Sequence, residues 1–271
     1  RQTFGGAINF ITRKPGDAFR GQVNVTAGQH DHYEASGFVS GPLIAGKLAG
    51  ELNLRHYEFG GDYFNTQTGR KDINAQQTQN VGLKLRFTPV EALDIMLQGS
   101  WSKDEDNGYA TTRYMAESLD CLLPTIVGSQ VVIPFGVVPL SSTRARGWIC
   151  GEIRSPGGVA YDHEGLALFD AKALEREAKR ASLSGDWALP GDWSLAAITA
   201  YNTSWNINGY DNNIGIRTGR DLTIAYTEWK DLSHEIRVLT PRDRRFRALA
   251  GLYYYQVEFE PGYNVFTTVP S

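Results

Sequence analysis

Leu93-Asp94-Ile95-Met96-Leu97-Gln98-Gly99-Ser100-Trp101-Ser102-Lys103 decides how this chain folds. Leu93, Ile95, Leu97, Gly99 and Trp101 fall on one side of an extended backbone; Asp94, Met96, Gln98, Ser100 and Ser102 fall on the other. A period of two belongs to a β-strand with one apolar and one polar surround, and a helix does not present it. The compact turn Thr88-Pro89-Val90-Glu91-Ala92 joins this strand to residues 76–87. There Val81, Leu83, Leu85 and Phe87 share a face against Lys84 and Arg86.

The same alternation extends both ways. Towards the N-terminus, 48–59 aligns Leu48, Leu52 and Leu54, and 33–40 aligns Tyr33, Ala35, Gly37 and Val39. Residues 19–28 set Val23, Val25 and Ala27 against Gln22, Asn24 and Thr26. Towards the C-terminus, 181–189, 193–205 and 226–239 repeat the pattern, with Leu232, Ile236 and Val238 opposite Glu235 and Arg237. Residues 246–259 carry apolar side chains on both faces, so their inward side stays unassigned. Nine consecutive strands are predicted, and their connections sort by length. Those at 41–47, 88–92, 190–192 and 240–245 are short; those at 60–75, 104–175 and 206–222 are long, with only 28–32 brief on that side. Residues 169–179 are compatible with a short helix or with the approach to the next strand.

Short turns at one end and long loops at the other mark an antiparallel transmembrane β-barrel. A soluble β-sandwich shares the alternation but has no reason to segregate loops by end. In hydrocarbon every backbone polar group must be paired, so a sheet survives there only when closed. The longest apolar run, 126–140, is broken by Gly128, Ser129, Gln130, Pro134 and Pro139, so no spanning helix is predicted. Of 271 residues 41% are hydrophobic and 21% charged, which argues against wholesale disorder, and a net charge of −3 gives no reason to expect nucleic acid. Trp193 and Trp205 lie twelve residues apart on one strand. At about 3.3 Å per residue and a tilt near 40° that places them roughly 30 Å apart, close to two aromatic girdles. Trp187 joins Trp193 beside a short turn, and Trp101 sits near the opposite end.

The chain opens on Gly5-Gly6-Ala7-Ile8-Asn9-Phe10-Ile11-Thr12-Arg13-Lys14-Pro15, a short buried strand with a stop signal. With Phe19-Arg20-Gly21, Ser40-Gly41-Pro42-Leu43, Leu85-Arg86-Phe87-Thr88-Pro89 and His234-Glu235-Ile236-Arg237, it resembles the TonB-dependent outer-membrane receptors along the whole chain. The resemblance implies that 1–15 is the C-terminal end of a plug domain and that 16–271 is the N-terminal part of a 22-stranded barrel. It also implies import of a scarce ligand, most often a ferric siderophore, energised by TonB. Nine strands are then an incomplete set, and both ends, Arg1 and Ser271, read as cut. A passive porin or surface adhesin, and a soluble carbohydrate-binding sandwich, are the alternatives.

The family's orientation puts the long loops outside. Cys121 and Cys150, which bracket 28 residues in the longest loop, are then expected to form a disulfide, worth about 3–4 kcal/mol in the chain-entropy model. His30, His32, Tyr63, Phe64, Tyr109, Tyr114 and Tyr210 are the expected ligand-contacting residues of the outer loops. His30 and His32 share one side of an extended segment with Glu34, a pattern compatible with a metal site or with a polar loop tip. Lys84, Arg86, Glu235 and Arg237 are expected to face the lumen. No nucleophile–base pair, phosphate loop or carboxylate pair stands at interpretable spacing, so neither an enzyme activity nor a cofactor is predicted.

Overall fold

The computed structural model describes residues 13–110, 125–127, 130–133, 136–139, 161–167, 172–212, 220–241, 243–262 and 265–269. The strands are β1 (Arg20–Gly28), β2 (His32–Ile44), β3 (Leu48–Phe59), β4 (Tyr63–Asn65), β5 (Arg70–Ile73), β6 (Gln76–Val90) and β7 (Leu93–Asp106). They continue as β8 (Thr125–Val127), β9 (Gln130–Ile133), β10 (Gly136–Pro139), β11 (Leu174–Leu189), β12 (Trp193–Asp211), β13 (Arg220–Leu239), β14 (Leu249–Pro261) and β15 (Val265–Val269). A short helix, α1 (His163–Ala167), precedes β11.

Nine strands form one antiparallel meander in the order β1-β2-β3-β6-β7-β11-β12-β13-β14. β15 pairs with β13 beyond the end of β14, continuing its line after a one-residue shift in register. β4 and β5 make a hairpin, and β8, β9 and β10 a small separate sheet, both within the long connections.

Register runs without a shift from β7 through β11, β12 and β13, so each face can be followed across the wall. Val39, Leu52 and Leu83 stand in one cross-strand row, and Leu85, Leu97 and Leu183 in the next. On the opposite face Asn53, Gly82, Ser100, Arg180, Asn202 and Asp231 form a row. The apolar face has no second layer over it among the described residues: Leu54 is 52% and Leu183 51% exposed. Burying each such side chain is worth about 1.5–3 kcal/mol, so a face built of them requires a bilayer. A two-layer sandwich is thereby excluded for this wall.

The short turns are built by backbone chemistry suited to them. Gly191 and Asp192 both take left-handed φ, 74° and 61°, matching the twist of the flanking strands.

One expectation from sequence is corrected, and two others gain detail. Residues 206–211 and 220–222, expected to belong to a loop, are strand: β12 runs on to Asp211 and β13 starts at Arg220. Their outward side chains pack against loops rather than lipid, so the composition there resembles a loop. Residues 60–75 contain the β4–β5 hairpin. Of the two readings open for 169–179, strand holds from Leu174, where β11 begins. The register also assigns β14: Tyr253, Tyr255, Val257 and Phe259 pair with Glu235, Ser233, Asp231 and Trp229 on the polar face.

Candidate functional site in the lumen wall and outer loops

At the short-turn end, the polar face of the wall holds the entering chain. The Lys14 ammonium donates to Asp94 Oδ2 at 2.9 Å and stands 3.6 Å from the Asp186 carboxylate. Asp94 is also gripped by Arg86, through Nε at 2.9 Å and Nη2 at 3.1 Å, a bidentate pair. Lys84 donates to Glu51 at 2.7 Å and to the Arg13 carbonyl at 3.4 Å. The Gly46 N–H donates to Asp17 Oδ1 at 3.2 Å. Lys84 and Arg86 thus share one cluster on the polar face. Glu235 and Arg237 lie on the same face and pair with each other.

Midway up that face the floor is made of small residues. Two hollows, about 360 and 400 Å³, meet where Arg180 and Asn202 line both. Asn202 donates to Asp231 at 2.8 Å. Trp229 flanks the upper hollow and meets Phe259 edge-to-face with ring centroids 5.4 Å apart. Among the described residues Arg180 has no carboxylate partner. The upper hollow thus offers a solute a guanidinium, the Asp231 carboxylate and an aromatic face.

At the long-loop end, Ile73, Tyr161, Leu166, Ala173, Ile207, Leu222 and Ile224 form the buried apolar cluster. Polar groups cross-link it. The Tyr161 hydroxyl donates to the Gly209 carbonyl at 2.7 Å, and fully buried Asn65 donates through Nδ2 to the Tyr161 carbonyl at 3.0 Å. The Asp162 N–H donates to Asp211 at 3.0 Å. Burial pushes the Tyr161 phenol well above its ordinary range, and the nearby Asp211 charge adds to the effect. Register places Ile207, Leu222 and Ile224 on the outward face, one strand step above Trp205, which packs against the cluster with Tyr226. The loop cluster therefore leans over the outside of the wall.

Most of the sequence-predicted loop residues gather at this end but not in one pocket. Tyr109 and Tyr210 both lie close enough to Tyr161 to raise its pKa further. Tyr63 and Phe64, partly exposed, are on the hairpin that supplies Asn65. His30 and Asp31 take left-handed φ of 63° and 51°, so the segment is a turn. The His30 ring sits 6.2 Å from Phe59, and the His32 ring 5.4 Å from Tyr57, each edge-on. Among the described residues no group of three or more metal-ligating side chains comes together. Tyr114, Cys121 and Cys150 lie outside the described residues. Trp101, Trp187, Trp193 and Trp205 all carry the parity of the apolar face.

Sequence reasoning missed Asp94 as the hub of the ion-pair cluster, together with Arg180, Trp229, Asn65 and Tyr161. Trp229 did leave a signal, since it shares the parity of Glu235 and Arg237 and interrupts a polar face.

No family model matches the chain. Over 85 residues it is 32% identical to the pesticin receptors of Yersinia enterocolitica and Yersinia pestis, a match covering 31% of this chain and 13% of theirs. Its fold is that of the ferric yersiniabactin uptake receptor FyuA from Yersinia pestis, with a TM-score of 0.65 at 17% identity over 95% of this chain and 33% of that one. The siderophore receptor PirA from Acinetobacter baumannii aligns with a TM-score of 0.55 at 13% identity, over 92% of this chain and 31% of PirA. The Pseudomonas aeruginosa ferripyoverdine receptor aligns with a TM-score of 0.55 at 12% identity, over 91% and 29%. The chain thus spans about a third of the length of the solved receptors it matches.

Proposed function

We propose that the chain belongs to the TonB-dependent receptors of the outer membrane and that the whole receptor imports a ferric siderophore with energy supplied through TonB. The observation that carries this reading is the ion-pair cluster on the polar face at the short-turn end. Lys14 and the Arg13 carbonyl are held inside the wall by Asp94, Asp186 and Lys84. A chain tethered there enters the barrel from within, as the last strand of a plug does, whereas a passive pore has no use for the tether. Residues 1–15 are accordingly the end of the plug and 16–271 the first part of the barrel. Arg180, Asn202 and Trp229 give an incoming iron complex hydrogen-bond donors and a π-face midway along the wall. The names of the similar receptors, which take up ferric yersiniabactin or bind ferripyoverdine, point to the same class of cargo.

The test is uptake of radiolabelled iron–siderophore complexes by a Gram-negative host carrying the full-length receptor as its only iron receptor. Uptake that stops when TonB is deleted supports the reading. Uptake that continues without TonB makes the protein a passive pore.

A further inference from the structure

We propose that the outward face of the wall carries a slot for one acyl chain of an outer-leaflet lipid. The slot is a hollow of about 570 Å³ between β1 and β7. Ala35 and Gly37 of β2 leave successive outward positions nearly empty and form its floor. Gly37 is held to its size, because a Cβ there would stand 2.9 Å from the Gln22 carbonyl oxygen. Val23, Val39, Leu52, Leu54, Val81 and Trp101 make the walls. His56 and Gln79, paired across β3 and β6, close one end, one strand step beyond Leu54 and Val81.

Apolar along its length and hydrogen-bonding at a single end, the slot has the profile of an amphiphile. Its orientation follows from the tryptophans. Trp101 belongs to the girdle near the long loops, so the His56–Gln79 end lies at the head groups of the outer leaflet and the apolar trench runs inward. From His56 to Leu52 it extends four residues, about 13 Å at 3.3 Å per residue, a segment of acyl chain. A trench left unfilled forfeits dispersion contacts along both walls, and a flexible chain fills it where a second protein's convex surface does not. The slot is also continuous with the apolar face already assigned to the bilayer.

The full-length receptor, purified from outer membranes and exchanged into a second detergent, is examined by native mass spectrometry. Wild type retains one lipid. Ala35→Phe, which fills the trench from a position already pointing outward, lowers the retained fraction at least tenfold. Leu97→Phe, on the same face but outside the slot, leaves it unchanged. Equal retention by wild type and Ala35→Phe overturns the proposal, as does a receptor dimer in place of the lipid. A second measurement does not depend on the folding of the filled variant: vesicles of phosphatidylethanolamine, or of a phosphorylated glycolipid, with brominated acyl chains. The Trp101 contribution, taken as wild type minus Trp101→Phe, is quenched more strongly than that of Trp193, taken in the same way. Equal quenching of the two overturns the proposal.

Discussion

Replacing Tyr161 with Phe removes one hydroxyl from the centre of the loop cluster and little else. The residue is 8% exposed. Its ring lies against Gly108, where an added Cβ would fall 2.4 Å from the ring, so the packing that Phe retains is already tight. The losses include the 2.7 Å bond to the buried Gly209 carbonyl and a backbone hydrogen bond at Asp211. Leaving a buried acceptor unsatisfied costs about 1–3 kcal/mol, which is about a fivefold to 150-fold increase in local opening. Hydrogen exchange followed by mass spectrometry on the full-length receptor reads this directly. Amides of 161–167 and the outer end of β12 exchange faster by that factor, while β6 and β7 keep their wild-type rates. Rates within about twofold of wild type at the loops, or acceleration spread across the whole wall, would refute the reasoning. The same residue predicts a pH dependence. Burial raises the phenol above its ordinary value of 10, so the folded loops hold a proton that the opened state gives up. That contribution is complete below pH 10 and declines as pH rises through the folded-state value. An ultraviolet difference titration, wild type minus Tyr161→Phe, shows a phenol ionising above pH 10; one ionising at or below 10 contradicts the burial argument.

Two further predictions concern the tether and the longest loop. Asp94→Ala removes the acceptor shared by Lys14 and Arg86; because the Lys14 side chain is 48% exposed, the loss is about 1 kcal/mol. Trypsin cleavage after Arg13 in the folded receptor then accelerates about fivefold, and an unchanged rate means that the tether does not hold this segment. Cys121 and Cys150 take up no alkylating reagent until reductant is added; two alkylated cysteines without reductant would exclude the disulfide.

The wall was legible because a bilayer imposes a rule on every strand. Outward residues such as Leu83, Leu97 and Leu183 must be apolar, and the inward ones need not be, so alternation survives in the sequence. Where that rule lapses, reading failed. β14 presents Tyr253, Tyr255, Val257 and Phe259 to the polar face, and only its pairing with β13 reveals which side they occupy. Beyond Trp205 the outward residues Ile207, Leu222 and Ile224 meet loops instead of lipid, and the strands there looked like a connection. The polar-face charges Lys84 and Arg86 were visible from parity, but their partners, Glu51 for Lys84 and Asp94 for Arg86, are fixed only by the pairing of neighbouring strands. Tyr161 and Asn65 are 96 residues apart. Nothing periodic links them, since their bond exists only because three loops meet above the wall.

The account rests on which face of the wall meets lipid. Spin labels placed one at a time at residues 94–101 of the full-length receptor in bilayers, with Cys121 and Cys150 replaced by Ser, test it most directly. Accessibility to oxygen should peak at positions 95, 97, 99 and 101, and accessibility to a water-soluble nickel complex at 94, 96, 98 and 100. The opposite phase, or no alternation at all, would contradict the assignment of this chain to the wall of an outer-membrane barrel.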